Sequence, residues 1–254
     1  MNEIKLNDIV NFLNTYLEND KFIDSSYNGL QFEGKKTIKK IAFAVDSGIE
    51  IFNKAIKENA DMLIVHHGLF WQGNDQKIIN TKKKRLEILF KNNLSLYASH
   101  LPLDKHKVVG NNAQLLKLLD AKIIDEFANY KNQSISWIGK LKNSKTITEI
   151  SKILDKKLDK KCKILNFGKE KIKTIAVCSG GGSINQLIEA INYNVDLFLT
   201  GEESEIYHEA KDSNINVIFS GHNATETLGV RALAKIIEKK FKINTIFINH
   251  PTNL

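Results

Sequence analysis

An internal repeat is the feature that most constrains the fold of this chain. The segment GKKTIKKIA at residues 34–42 returns as GKEKIKTIA at residues 168–176, with six of the nine positions identical. In each copy a strand pattern completes this nonapeptide, and a turn containing glycine and then a helix pattern follow it. Each half also opens with an amphipathic helix pattern, at 6–17 and at 147–154. The repeat therefore predicts a duplicated architecture of two similar halves.

Strand and helix patterns alternate through both halves. The predicted strands cover 41–45, 62–65 and 94–98 in the first half and 175–178, 197–199 and 217–219 in the second. Short and almost continuously apolar strands are typical of sheets that helices cover on both faces. We therefore predict an α/β fold of two similar, duplicated α/β sandwich halves, residues 1–128 and 129–254, packed together around a cleft.

Composition excludes several classes of protein. The 254 residues are 42% hydrophobic, enough to bury a core, and no apolar run approaches the roughly 18 residues of a membrane span. The first eight residues are polar where a signal peptide would be apolar. Cys162 and Cys178 are the two cysteines, too few for a disulfide framework. Together these features predict a cytoplasmic protein.

The net charge of +8 raises the question of nucleic-acid binding. Arg85 and Arg231 are the two arginines, so 35 of the 37 basic residues are lysines. Because base reading favours arginine, this balance argues against sequence-specific DNA recognition. We interpret the spaced lysine runs as a solvated surface.

Four of the seven histidines follow predicted strands directly. They are His66, His67, His100 and His222. Because ligands of open α/β sheets bind beyond the carboxyl ends of the strands, we expect these side chains to converge. Two of the four histidines are followed, four residues later, by a carboxylate. These two units are His100 with Asp104, and His222 with Glu226.

Imidazole and carboxylate groups together suit Zn, Fe, Mn, Co or Ni, so the pattern predicts a metal site. His66 and His67 are neighbours on a strand and point to opposite faces, which favours two ions that take one histidine each. The alternative is that Glu226 belongs to a helix-capping box with Asn223 and that Asp104 caps a turn. Each residue taken singly fits that alternative, but the combination favours the metal site.

Three further segments have less specific patterns. The glycine-rich loop Cys178–Ser183 joins a strand to a helix and is either an anion-binding loop or a tight turn, since it matches no phosphate fingerprint. The segment 28–31, Asn-Gly-Leu-Gln, predicts a turn entering a short strand, with no assigned chemistry. Trp71 is either a core residue or a pocket wall.

These same motifs make the sequence resemble the Nif-three-like family of dinuclear-metal, ring-forming proteins, some of which carry the label GTP cyclohydrolase 1 type 2 homologue. The resemblance covers almost the whole chain. Its motifs are Asn28-Gly29-Leu30-Gln31, Val65-His66-His67-Gly68, residues 99–104 continuing to 110–115, Ser179-Gly180-Gly181, Thr200-Gly201-Glu202, and Gly221-His222 with Glu226.

The resemblance implies two divalent metal ions per chain and a homohexamer whose sites face an inner cavity. The implied ligands are His66, His67, Asp104, His222 and the bridging Glu226. It also identifies the chain as one of the short type, without an inserted domain between the halves.

The predicted function is that of a metal-dependent hydrolase acting through a metal-bridging water. Two divalent ions and two carboxylates leave about two positive charges, which favours an anionic small molecule or a nucleotide as substrate. Candidates for moving protons are His100, His106 and His208, with none preferred. The alternatives are a metal chaperone or regulatory scaffold without turnover, and a ring that threads nucleic acid through its lysines.

Overall fold

The computed structural model describes residues 3–252 and combines α-helices with β-strands in both repeats. The strands are β1 (Ile4–Lys5), β2 (Gly29–Phe32), β3 (Thr37–Ile38), β4 (Lys40–Asp46), β5 (Met62–His67), β6 (Ser95–Ala98), β7 (Ala121–Tyr130), β8 (Gln133–Lys145), β9 (Lys163–Leu165), β10 (Ile172–Cys178), β11 (Leu197–Thr200), β12 (Asn216–Phe219) and β13 (Asn244–Phe247). The α-helices are α1 (Leu6–Leu17), α2 (Ile49–Lys57), α3 (Asn80–Asn92), α4 (Leu101–Lys105), α5 (Asn111–Leu118), α6 (Ile147–Leu158), α7 (Ile184–Asn192), α8 (Tyr207–Asp212) and α9 (His222–Phe241). The predicted α/β class is confirmed.

Packing divides the chain into two compact units. Unit 1 contains residues 3–103 and Val230–His250, and unit 2 contains Asp104–Gly229 with residues 251–252. The boundaries fall inside α4 and α9. The packing units therefore differ from the two halves of the repeat, 1–128 and 129–254. Helix α5 belongs to the first repeat but packs in unit 2, while the C-terminal part of α9 and strand β13 belong to the second repeat but pack in unit 1.

Unit 1 is built on a five-stranded sheet in the order β13-β4-β5-β6-β2. The first four strands are parallel, and β2 is antiparallel to β6. Five consecutive residues of β4 are buried, because helices cover the sheet. One core packs Phe52 of α2 and Leu89 of α3 against Leu63 and Val65 of β5.

Unit 2 is built on a six-stranded sheet in the order β7-β8-β10-β11-β12-β9. Strands β10, β11 and β12 are parallel, as the alternation of strands and helices predicts. Successive residues of one strand serve different cores: Val177 packs with Leu199 in one cluster, and Ala176 packs with Phe198 in another. Helices therefore cover both faces of this sheet, as predicted.

The hairpin β7–β8 was not predicted from the sequence. Its turn consists of Lys131 and Asn132, which both have positive φ angles, of 50° and 62°. Two such residues form the tight turn that suits the twist of an antiparallel hairpin. The end of the first predicted half, residue 128, lies inside β7.

Within residues 3–252, no helix combines the length and the apolar character that crossing a bilayer requires. Cys162 is partly buried, Cys178 is buried, and both are free thiols.

Candidate metal centre

His66 and His67 are the last two residues of β5, at the carboxyl end of the parallel strands of unit 1. His66 is completely buried, and its Nδ1 lies 2.9 Å from the carbonyl oxygen of Ser99. Because a carbonyl can only accept, Nδ1 is the donor and the ring lone pair lies on Nε2. His66 is thus held as an imidazole that offers Nε2 as a ligand atom.

His67 is fixed in the same way by a carboxylate. Its Nδ1 lies 2.7 Å from Oδ1 of Asp46. Asp46 is the last residue of β4, and the two residues are paired in register between neighbouring strands. A carboxylate on Nδ1 sets the tautomer, orients the ring and raises the basicity of Nε2, as is usual for histidines that bind metals.

His100 is the third histidine at this end of the sheet. One ring nitrogen from each of His66, His67 and His100 lies within 4.8 Å of the others. Nδ1 of His100 lies 2.9 Å from the buried carboxylate of Asp24. Burial alone would raise the pKa of Asp24, but hydrogen bonds from His100 and Asn28 hold it at about 2. The predicted convergence of these three histidines is confirmed.

In unit 2, His222 and Glu226 lie one turn apart at the start of α9, and Nε2 of His222 is 3.1 Å from Oε1 of Glu226. Nδ1 of His222 lies 2.6 Å from Oε1 of Glu202, which follows β11. Burial would lower the pKa of His222, but the two carboxylates, Glu226 above all, raise it to about 9. The capping-box alternative for Glu226 is wrong, because α9 already includes Asn223 and Glu226 is buried inside the helix.

Asp104 is buried in unit 2 and held by the glycine-rich loop and by α5. Its Oδ1 accepts hydrogen bonds from Oγ of Ser179, at 2.9 Å, and from Nδ2 of Asn111, at 2.8 Å. The loop is anchored in turn because the amide of Ser179 donates to Asn112. The glycine-rich loop therefore positions an acidic side chain, a role the sequence did not indicate.

The surroundings of Gly180, in the same loop, show whether the side chains there can bind a metal ion. The φ of Gly180, +64°, is the left-handed conformation that favours glycine. A Cβ added there would strike Oε1 of Glu226 and lie 3.1 Å from Nε2 of His222. The backbone thus leaves space where these two ligand atoms meet, and imidazole with carboxylate is a donor set that first-row divalent ions accept. The residues fit a metal ion.

The five predicted ligands are distributed over the two units. His66 and His67 lie in unit 1, and Asp104, His222 and Glu226 lie in unit 2. That the two sets form one centre stays a prediction. Sequence reasoning missed Asp24 and Asp46, which orient two of the rings, and it placed Glu202 in a family motif without assigning it this role. Asp46 had a usable signal, because it ends the strand beside the one that ends in His67.

The other two candidates for moving protons occupy different surroundings. Nδ1 of His106 accepts hydrogen bonds from the backbone amides of Val108 and Val109, both at 3.1 Å, so this ring stabilises a loop. His208 is exposed on α8, where its ring packs edge-on against Tyr207. Of the three histidines, His100 is the one beside predicted ligands.

Known proteins resemble this chain along its whole length. The family model Duf34/NIF3 (NGG1p interacting factor 3) matches residues 4–253. A protein of Archaeoglobus fulgidus named GTP cyclohydrolase 1 type 2 homolog is 44% identical over 252 residues, which cover 99% of this chain and 100% of that protein.

Solved structures agree with the sequence relatives. The protein ybgI, described as of unknown function, is 33% identical and superimposes with a TM-score of 0.93, covering 99% of this chain and 100% of its own. The protein TTHA1606 of Thermus thermophilus is 37% identical with a TM-score of 0.89, covering the same shares of the two chains.

Proposed function

Because this chain belongs to the Duf34/NIF3 family, we propose that it is a metal-dependent hydrolase with one dinuclear centre. The centre would draw its ligands from both packing units. These ligands are His66, His67, Asp104, His222 and Glu226.

The observation that carries this proposal is the common arrangement of the imidazoles. In His67 of unit 1 and in His222 of unit 2, a carboxylate holds Nδ1. We assign Nε2 of each ring to a metal ion, which in His222 would replace the proton that Nε2 shares with Glu226. Hydrogen bonds of this kind to ligand histidines are worth roughly 10–100-fold in metal affinity. Histidines with purely structural roles do not need this arrangement in both units.

Each residue has a distinct task in the proposed reaction. Two bound divalent ions would supply Lewis acidity and a water of lowered pKa. Asp46 and Glu202 orient the imidazoles, while Ser179 keeps the carboxylate of Asp104 in place. We assign proton transfer to His100, whose ring is held in place by Asp24.

The structure changes the charge argument for the substrate. Two divalent ions with Asp104 and Glu226 leave about two positive charges. Asp46 and Glu202, which hold two of the ligand histidines, bring two further negative charges. The net charge of the ions, the ligands and these two carboxylates is therefore close to zero. The field at the ions still favours an anionic group there, but selection of an anionic substrate also requires a cation elsewhere. The name GTP cyclohydrolase 1 type 2 homolog among the relatives supports a nucleotide.

Metal content and turnover together test the proposal. Protein purified without an affinity tag should contain about two first-row ions per chain, measured by plasma mass spectrometry. Glu226→Gln should lose at least half of the metal, whereas Glu238→Gln, an exposed residue of the same helix, should not. The metal-loaded protein should hydrolyse GTP or a member of a phosphoester panel above the Glu226→Gln background.

Two results would contradict the proposal in different ways. If no metal binds even after loading with Zn²⁺, Mn²⁺ or Fe²⁺, the five side chains are structural. If two ions bind but no substrate turns over, the alternative of a metal chaperone gains support. A chaperone should pass its metal to an apo-acceptor faster than to a free chelator.

The oligomeric state belongs to the same proposal. The family resemblance suggests a homohexamer, and α7 presents Ile184 and Ile188, four residues apart, as exposed apolar side chains. Exposed apolar groups on one helix face suit contact with a second copy. Sedimentation should give six times the chain mass of 28.8 kDa, and a monomer would contradict this part.

We place the protein in the cytoplasm, as its two free cysteines suggest.

A further inference from the structure

Unit 1 contains a cavity of about 520 Å³ that the proposed function has not used. Its size is within the range of sites for small molecules and cofactors. Three aromatic rings and one lysine contribute to its lining. The residues that matter here are Tyr27, Leu30, Phe70, Trp71, Asn74 and Lys82.

The walls of this cavity are tied together by the backbone. The amide of Tyr27 donates to the carbonyl of Phe70, at 3.1 Å, and the amide of Gln72 donates to the carbonyl of Ser25, at 2.7 Å. Oε1 of Gln31 accepts from the amide of Leu69, at 2.7 Å. Preorganised walls lower the ordering cost of binding a ligand. These contacts also explain the Asn-Gly-Leu-Gln segment: its glutamine holds the loop that carries the aromatic rings.

The cavity adjoins the histidines of unit 1. The ring of Trp71 lies 5.0 Å from the ring of His100, centroid to centroid, and 6.1 Å from the ring of His67. The indole is fixed in place because its Nε1 donates to the carbonyl oxygen of Gly68, at 2.9 Å. A molecule that contacts Trp71 in the cavity would therefore be separated by this one ring from His67, an assigned ligand, and from His100.

We propose that this cavity binds the heteroaromatic ring of a nucleotide, with Lys82 paired to the phosphate. The aromatic rings offer faces for stacking, and the amides of Asn74 and Gln76 offer donors and acceptors for the edge of a base. Lys82 is the charged residue among those that line the cavity. Lys82 supplies a positive charge for the phosphate. The proposed metal centre has almost no net charge when its ions, ligands and ligand-holding carboxylates are added together. The proposal gives the nucleotide substrate of the proposed function its binding place, and it rests on that function.

Two simpler ligands fit the lining less well. A purely apolar molecule would cover the amides of Asn74 and Gln76 without satisfying them, which costs free energy. A small free anion would use Lys82 but leave the faces of Tyr27, Phe70 and Trp71 without a partner molecule. A planar ring that carries a negative group uses both kinds of lining.

Calorimetric titration of the metal-free full-length chain tests this proposal. The probes are guanosine 5′-monophosphate, guanosine and ribose 5-phosphate. Guanosine 5′-monophosphate should bind most tightly, because it alone carries both the ring and the phosphate. Trp71→Ala should weaken its binding, and that of guanosine, about tenfold or more. Trp71→Phe keeps a ring and should bind almost as the natural protein does.

Lysine variants separate the phosphate contact from general charge. Lys82→Met should weaken binding of guanosine 5′-monophosphate about three- to fivefold and leave guanosine unchanged. Lys84→Met, on the same helix but outside the cavity lining, should change neither.

Absence of guanosine 5′-monophosphate binding would overturn the proposal, and so would equal binding by the natural protein, Trp71→Ala and Lys82→Met. Because these titrations use metal-free protein, their result is independent of metal content and turnover. Dependence on Trp71 and Lys82 without any turnover would retain the binding site and remove the hydrolase.

Discussion

The two repeats differ at the position four residues after the repeated nonapeptide, and that difference shapes the candidate centre. In the first repeat this position is Asp46, whose carboxylate holds Nδ1 of His67. In the second repeat it is Gly180, which leaves room for Glu226 and His222. There the carboxylate on Nδ1 comes instead from Glu202, after the second strand of the repeat. The duplicated scaffold thus reaches one chemical arrangement by two routes.

The two His-x-x-x-carboxylate units also differ between the repeats in how their side chains are used. His222 and Glu226 lie in the first turns of a 20-residue helix, so their side chains share a face and meet. His100 precedes the short helix α4, and it pairs with Asp24 in unit 1 while Asp104 belongs to unit 2. Equal spacing in the sequence therefore does not give equal roles.

The largest effect is expected from filling the space at Gly180. In Gly180→Ala, the added methyl group would strike Glu226 and strain a left-handed backbone. We expect loss of most bound metal and a decrease of about 2 kcal/mol in the free energy of unfolding. Plasma mass spectrometry and urea denaturation measure the two quantities.

Gly48→Ala is the matched control, from the corresponding turn of the first repeat. A Cβ at Gly48 meets nothing within 4 Å, so this variant should keep its metal and lose no more than about 1 kcal/mol, the cost of replacing the N-cap glycine of α2 by alanine. Equal effects of the two substitutions would show that the space at Gly180 has no special role.

The carboxylates on Nδ1 should contribute almost equally in the two repeats. Asp46→Asn and Glu202→Gln each remove the charge that orients one imidazole, so each should weaken metal binding roughly 10–100-fold. Competition with a chromogenic chelator measures the affinity. Glu203→Gln, an exposed neighbour paired with Lys163, serves as the control. A loss of metal affinity in only one of these two variants would contradict the equal contribution of the two carboxylates.

Asp24 should make the stability of unit 1 depend on pH in acid. Its pKa of about 2 in the folded protein lies below the ordinary value of 3.8, so its contribution is present above about pH 4 and is lost as the pH falls towards 2. At about 1.4 kcal/mol for each pKa unit, lowering the pKa of Asp24 from 3.8 to about 2 corresponds to somewhat more than 2 kcal/mol.

Urea denaturation between pH 5 and pH 2 measures this contribution. The natural protein should lose about 2 kcal/mol more over this range than Asp24→Asn does. Parallel pH curves for the two proteins would show that the Asp24–His100 pair does not stabilise the fold.

The smallest effect on metal is expected at His100. Although its ring lies beside His66 and His67, Nδ1 is engaged by Asp24 and the ring is not among the five assigned ligands. His100→Gln should change the metal content less than twofold but lower turnover, whereas His222→Gln should lose metal. Loss of an ion in His100→Gln would make it a sixth ligand.

Much of the scaffold could be predicted because its signals are local. The strand that ends in His66 and His67 is a continuous apolar run, and the repeat set the order of strands and helices. The exchange of α5 and the end of α9 between the units could not be predicted, because it depends on which sheet each helix packs against.

The types of ligand residue could likewise be predicted from the sequence, but the residues that hydrogen-bond to them could not. Asp24 is 76 residues from His100, and no periodicity connects them. Ser179 reaches Asp104 across 75 residues. Gly180 was visible as a turn glycine, yet the reason for it is the volume that Glu226 and His222 require. Such contacts arise only when the chain is folded.

The central claim is that ligands from both units form one centre, and electron paramagnetic resonance of the Mn²⁺-loaded protein tests it most directly. Two ions about 3.5–4 Å apart should give an exchange-coupled spectrum at two Mn²⁺ per chain. His66→Ala in unit 1 and His222→Ala in unit 2 should each abolish the coupling. A fully loaded natural protein that gives only the resolved spectrum of isolated Mn²⁺ would contradict the claim, because its ions would then occupy separate sites.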